Sequence, residues 1–131
     1  METKEPIHEQ TRLIERVFVQ HFAADWIAAW NAHDLERILS HYADDFEMTS
    51  PRIVEVVGET SGTLKGKERV GEYWAKGLSL SPDLQFELIS VLTGVESVTL
   101  FYKNHREQFV AEVFHFNAEG KVERAFAHYS Q

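Results

Sequence analysis

The hydrophobic pattern changes its period partway along this chain, and that change most restricts what the chain can fold into. In the first part, apolar side chains recur at three- and four-residue intervals. Val19, Phe22, Ala23, Trp26, Ile27 and Trp30 make one face of a helix expected over residues 10–31. Asn31-Ala32-His33-Asp34 breaks that helix, and Asp34 is placed to cap a short second one carrying Leu35, Ile38, Leu39 and Tyr42. Val70, Tyr73, Trp74 and Leu78 form the stripe of a third helix, expected over residues 67–80. From Leu84 onward the stripes give way to segments rich in Val, Phe, Leu and Tyr, which read as strands at residues 84–93, 97–103, 108–117 and 121–129. The connections between them are short, so these strands are expected to pair as an antiparallel meander. One earlier strand, residues 46–51, ends at Pro51, which cannot donate to a ladder. Helices followed by a meander make an α+β arrangement.

A chain of 131 residues supplies one hydrophobic core and not two. Residues 1–9 are polar and read as a flexible terminus, leaving residues 10–131 as a single domain. The formal net charge of -8 repels nucleic-acid phosphates, and the densest basic group, Lys65, Lys67 and Arg69, is interrupted by Glu68. No apolar run reaches the roughly 20 residues of a membrane helix, and the N-terminus lacks the features of a signal peptide, so a cytoplasmic protein is expected. The absence of cysteine excludes disulfides, thiolate metal sites and thiol nucleophiles. The 7 histidines show no HExxH or comparable spacing, and Gly58, Gly62 and Gly66 do not form a phosphate loop, so neither metal nor cofactor is expected. Asp44 and Asp45, read at a helix exit, have capping and solvation as their expected role.

Hairpin geometry divides the last two strands into faces. A four-residue loop at 117–120 pairs Phe116 with Lys121, Phe114 with Glu123, and Glu112 with Ala125. Glu112, Phe114, Phe116, Ala125, Ala127 and Tyr129 then share one face, and Phe109, Val113, His115, Val122, Arg124, Phe126 and His128 the other. Small alanines opposite large aromatics leave room for a cavity on the first face. A carboxylate there is costly unless paired, which makes Glu112 a functional group, a partner of the Trp26 N–H or Tyr129 O–H, or an exposed residue on a misassigned face. The second face is apolar enough to mark an interface.

Four stretches carry a resemblance that spans residues 11–129. They are Trp30-Asn31-Ala32-His33-Asp34-Leu35, His41-Tyr42-Ala43-Asp44-Asp45-Phe46 leading to Pro51, Gly66 through Trp74, and Phe114-His115-Phe116-Asn117-Ala118-Glu119-Gly120-Lys121-Val122. In order and spacing the chain resembles the nuclear transport factor 2-like superfamily, particularly its SnoaL-like and ketosteroid-isomerase-like members. The resemblance implies a cone-shaped, curved antiparallel sheet wrapped around helices, the cystatin-like roll, with a pocket on the concave side. That pocket would be lined by Trp26, Trp30, Tyr42, Phe46, Met48, Ser50, Trp74, Phe86, Glu112, Phe114 and Tyr129. It also implies dimerisation through the outer sheet face.

Ketosteroid isomerases place a carboxylate base just before the proline that ends the first strand, and the matching position here is Ser50, which is no base near neutral pH without a partner. Their phenolic oxyanion donor matches Trp26, and their neutral carboxylic acid matches Glu112. Ketosteroid isomerisation itself is therefore not expected. The acidic residue that SnoaL-type cyclases carry near the end of the last strand is also missing, since that region reads Ala127-His128-Tyr129-Ser130-Gln131. His128 replaces it only if it faces the pocket. Three functions stay open: proton-transfer chemistry of an isomerase, cyclase or dehydratase type on a small hydrophobic cyclic molecule, with Glu112 and Tyr129 as the catalytic pair; noncatalytic binding of such a molecule; and a dimeric interaction domain in which the pocket is incidental.

Overall fold

The computed structural model describes residues 14–131, and the expected flexible terminus at 1–9 lies outside the described residues. Helix α1 (Arg16–Asn31) buries Val19, Phe22, Ala23, Trp26, Ala29 and Trp30, the predicted stripe with Ala29 taking the place of Ile27. It starts later than its pattern suggested: Glu15 has an extended backbone (φ -68°, ψ 133°), so residues 14 and 15 are not helical. Helix α2 (Leu35–Leu39) is capped as expected, with the Asp34 carboxylate accepting from the Arg37 N–H at 3.1 Å. Arg37 Nε (3.0 Å) and His41 Nε2 (2.7 Å) both reach the Asp25 carboxylate, tying α1 to α2 and to the chain that follows.

Tyr42 does not belong to α2. It opens strand β1 (Tyr42–Thr49), which starts earlier than predicted because the Val122 N–H bonds the His41 carbonyl at 2.9 Å and draws the chain into the sheet at once. The pairing is irregular between Tyr42 and Glu47, and Asp44 and Asp45 stand exposed there, on a strand rather than at a helix exit. Pro51 does more than stop this strand. It occupies the first turn of an unpredicted helix, α3 (Pro51–Val57), where a missing N–H is harmless, and the Ser50 hydroxyl caps it by accepting from Arg52 N–H at 3.2 Å. Gly58 closes α3 in the left-handed conformation (φ 73°) that L-residues avoid. Strand β2 (Thr63–Lys65) and helix α4 (Lys67–Leu80) follow, the latter with the predicted boundaries.

The meander consists of β3 (Glu87–Gly94), β4 (Ser97–Lys103), β5 (Phe109–Phe116) and β6 (Val122–Tyr129). Strand β3 begins later than expected because the Asn31 side chain holds the Phe86 backbone, accepting from its N–H at 2.7 Å and donating to its carbonyl at 3.0 Å. The six strands lie in the order β2-β1-β6-β5-β4-β3, antiparallel throughout except where β1 runs parallel to β6. A mixed α+β fold results, with the helices on the inner side of the sheet.

The predicted β5–β6 register is shifted by two residues at Glu112 and Phe114 and by one at Phe116. Glu112 pairs with Ala127, Phe114 with Ala125 and Phe116 with Val122. Glu123 is the extra residue of a bulge, since His115 pairs with Arg124 and its neighbour Phe116 with Val122. A shift of two preserves the faces, so Ala125, Ala127 and Tyr129 stay on the side of Glu112. Val122 does not stay on the outer face: the bulge reverses its parity and buries it completely against the core.

Candidate functional site

The inner faces of β4, β5 and β6 meet α1 and α4 around a partly open cavity of about 100 Å³. Trp26 and Trp30 come from α1, Met48 from β1, Arg52 and Val56 from α3, and Tyr73, Trp74 and Gly77 from α4. Ser81, Leu84 and Phe86 line it from the segment before β3, Asn104 and His105 from the β4–β5 turn, and Tyr102, Val110, Glu112 and Tyr129 from the sheet. Its aromatic walls are interlocked, with ring centroids 4.5 Å apart for Phe86 and Tyr102, 5.3 Å for Trp30 and Trp74, and 5.5 Å for Trp26 and Tyr102.

Glu112 is the chemical centre of this space. It is 4% exposed, and its Oε1 accepts a hydrogen bond from the Tyr102 hydroxyl at 2.9 Å. Burial disfavours the ionised form and pushes its pKa from 4.5 up to about 7, while the Tyr102 bond pulls the other way. The carboxyl therefore changes charge near neutrality, the condition in which one group both gives and accepts a proton. Four phenols sit in the range of its charge. Burial first, and the Glu112 charge second, raise Tyr42, Tyr102 and Tyr129 well above the ordinary tyrosine value. Burial raises Tyr73 to about 12, and the Ser50 hydroxyl, interacting with both Tyr73 and Tyr129, lowers each slightly. All four stay protonated at neutral pH, and Tyr102 is the one that donates to Glu112.

The predicted lining divides in two. Trp26, Trp30, Met48, Trp74, Phe86, Glu112 and Tyr129 stand on the cavity wall. Tyr42, Phe46, Ser50 and Phe114 do not; they are buried one layer behind it. Tyr42 and Phe46 pack as a tilted pair with ring centroids 4.4 Å apart and support Trp74, and Phe114 packs on Phe22 and Trp26. The Trp26 indole N–H donates to the Tyr42 oxygen at 2.9 Å, so it serves the wall and not Glu112. Ser50 is held by its capping role on α3. The partner of Glu112 is Tyr102, which the hairpin argument overlooked. Carrying the register one strand further, across Leu100–Glu112 and Tyr102–Val110, puts Tyr102 on the same face. Arg52 was missed because α3 was not foreseen, and Asn104 and His105 because they lie in a turn. His128 is exposed, and so takes no part in the cavity. Among the described residues no three acidic or histidine side chains converge on a metal position, and no helix is long and apolar enough to cross a membrane.

The family model of the SnoaL-like domain matches residues 23–125. No curated protein is similar to this chain at a significant level. Among solved structures, a SnoaL-like protein of unknown function from Burkholderia thailandensis is 52% identical, with 91% of this chain and 99% of that one covered and a TM-score of 0.88. A nuclear transport factor 2-like protein of unknown function from Cytophaga hutchinsonii is 13% identical, over 99% of this chain and 95% of that one, with a TM-score of 0.67. A protein of unknown function with a cystatin-like fold from Methylobium petroleophilum is 12% identical, over 91% and 80% of the two chains, with a TM-score of 0.72. The latter two share the fold alone. The chain belongs to the SnoaL-like domain family, on the nuclear transport factor 2-like fold.

Proposed function

We propose that this protein takes a small, mainly apolar ring compound into the cavity and moves a proton on it without a cofactor, in the manner of an isomerase, cyclase or dehydratase. Glu112 is the acid/base, Tyr102 orients it, and Tyr129 donates to a ligand oxygen. The observation that carries the reading is a carboxyl group buried among aromatic rings, poised near neutral pH, which among the described residues is hydrogen-bonded by a phenol and forms no ion pair. A carboxyl placed only for stability would be paired or replaced by an apolar residue. The size of the cavity narrows the substrate. About 100 Å³ falls well below the roughly 300–1,000 Å³ of pockets that enclose drug-sized ligands. It suits a single ring, and it disfavours steroids and fused polycycles.

The test is hydrogen–deuterium exchange at the α-carbon of cyclohexanone or 2-cyclohexenone, followed by NMR in D₂O. Exchange should be accelerated by the protein and fall by roughly 10²-fold or more in Glu112→Gln. Equal exchange in the two proteins would remove Glu112 from the chemistry and leave only a binding role.

The outer sheet face supports a second, independent proposal, a homodimer. Phe101 and Phe109 stack at 5.7 Å on that face, Phe109 is 45% exposed, and Phe126 and Val113 continue the patch. An apolar patch of this kind commonly marks an interface, and a two-fold dimer would set it against its own copy.

A further inference from the structure

Two of the polar groups on the cavity wall that the chemistry above does not use bear on the kind of ligand it takes. One is the Trp30 indole N–H. Trp30 is 7% exposed, its ring lines the cavity, and its nitrogen has no hydrogen-bond partner. An indole nitrogen only donates, so what it lacks is an acceptor. The neighbouring indole of Trp26 is satisfied by Tyr42; the other buried side-chain polar atom without a partner among the described residues, His105 Nδ1, also belongs to a residue of the cavity wall. Native structures rarely leave a buried donor without a partner, and each such group calls for an explanation.

The other is the Arg52 guanidinium. Arg52 stands in the first turn of α3, half-buried, 6.0 Å above the Tyr129 ring, where it lines the cavity and also an adjoining surface groove. Arg106 lines the same groove. Neither arginine forms an ion pair among the described residues, although Glu55 lies in that groove. Arg52 therefore presents its guanidinium where the cavity wall meets that groove, with no carboxylate paired to it among the described residues. A guanidinium is the side chain best shaped to hold a carboxylate through two parallel hydrogen bonds.

Resting on the reading of the cavity as a ligand site, we propose that its ligand is a monocyclic carboxylate that bears a second oxygen on the ring. Arg52 holds the carboxylate at the entrance, the aromatic walls enclose the ring, and the Trp30 N–H donates to the ring oxygen. Glu112 is uncharged below a pH of about 7, so the inner cavity does not repel such an anion there. One ring fills a space of about 100 Å³ while its carboxylate stays at the open end beside Arg52.

All three tryptophans of the chain line the cavity, so quenching of their fluorescence reports occupancy, with calorimetry as the second readout. The probes are benzoate, its neutral analogue benzamide, and 3- and 4-hydroxybenzoate, at pH 6. The unmodified protein should bind benzoate roughly tenfold or more tighter than benzamide, and one of the hydroxybenzoates tighter still. Arg52→Gln should abolish the preference for benzoate over benzamide, and Arg52→Lys should keep part of it. Trp30→Phe, read by calorimetry, should remove the gain from the ring hydroxyl while keeping the gain from the carboxylate. Equal affinity for benzoate and benzamide, or a preference that survives Arg52→Gln, would overturn the carboxylate assignment with the cavity still a ligand site. Binding of neither ring would overturn both.

Discussion

Replacing Glu112 by glutamine isolates the energetic consequence of burying this carboxyl group. In the unfolded chain it titrates near 4.5, and in the folded protein near 7. Between those values the unfolded chain has released a proton that the folded protein keeps. Stability therefore falls as pH rises through this window and levels off above about 7. A displacement of about 2.5 units is worth about 3 kcal/mol, a large share of the roughly 5–15 kcal/mol that holds a domain of this size together. Glutamine has no such titration. Its oxygen still accepts from Tyr102, but its amide introduces donors with no partner in an aromatic cavity, which costs about 1–3 kcal/mol at any pH. Glu112→Gln should thus be less stable than the parent at pH 5 and equal or more stable at pH 8, the difference moving by about 2–3 kcal/mol. Urea unfolding of both proteins across that range measures it. Titration of His41, His105 and Asp25 is common to both and cancels in the difference. A stability difference that does not change with pH would refute the reasoning and place Glu112 at its ordinary value.

Phe114→Ala empties a fully buried site in contact with Phe22 and Trp26 and should cost about 3–5 kcal/mol, measured by chemical denaturation. Ser50→Ala removes the cap of α3 and should cost about 1 kcal/mol while displacing Arg52, so that benzoate binding weakens along with stability. Asp25→Asn should lower the melting temperature by a few degrees, because Arg37 and His41 both anchor on that carboxylate; calorimetry reads it. Phe126→Glu should convert a dimer to a monomer in sedimentation, and an unmodified protein that already sediments as a monomer would remove the outer-face proposal. The protein should not isomerise β,γ-unsaturated ketosteroids, because the cavity is too small for them and Ser50, in the place of the carboxylate base, lies behind its wall; measurable turnover would contradict both points.

Much of this protein was legible in local periodicity. The stripe of α1, the boundaries of α4 and β4, and the sharing of one face by Glu112, Ala125, Ala127 and Tyr129 all follow from periods of 3.6 and 2. The face of Glu112 survived even a two-residue error in register, because parity is unchanged by an even shift. What the pattern does not contain is the partner across a gap. Tyr102 reaches Glu112 from another strand, β1 joins β6 in parallel across some eighty residues of chain, and the bulge at Glu123 turns Val122 inward. Ser50-Pro51 carried a legible helix-start signal, yet a proline after a strand is equally a stop, and only the packing of α3 on α4 distinguishes the two. Periodicity records which side of an element is apolar. The identity of the group opposite depends on contacts between segments far apart in sequence, and for this chain those contacts, formed only in the tertiary structure, bring Arg52, Trp30 and Glu112 to one cavity.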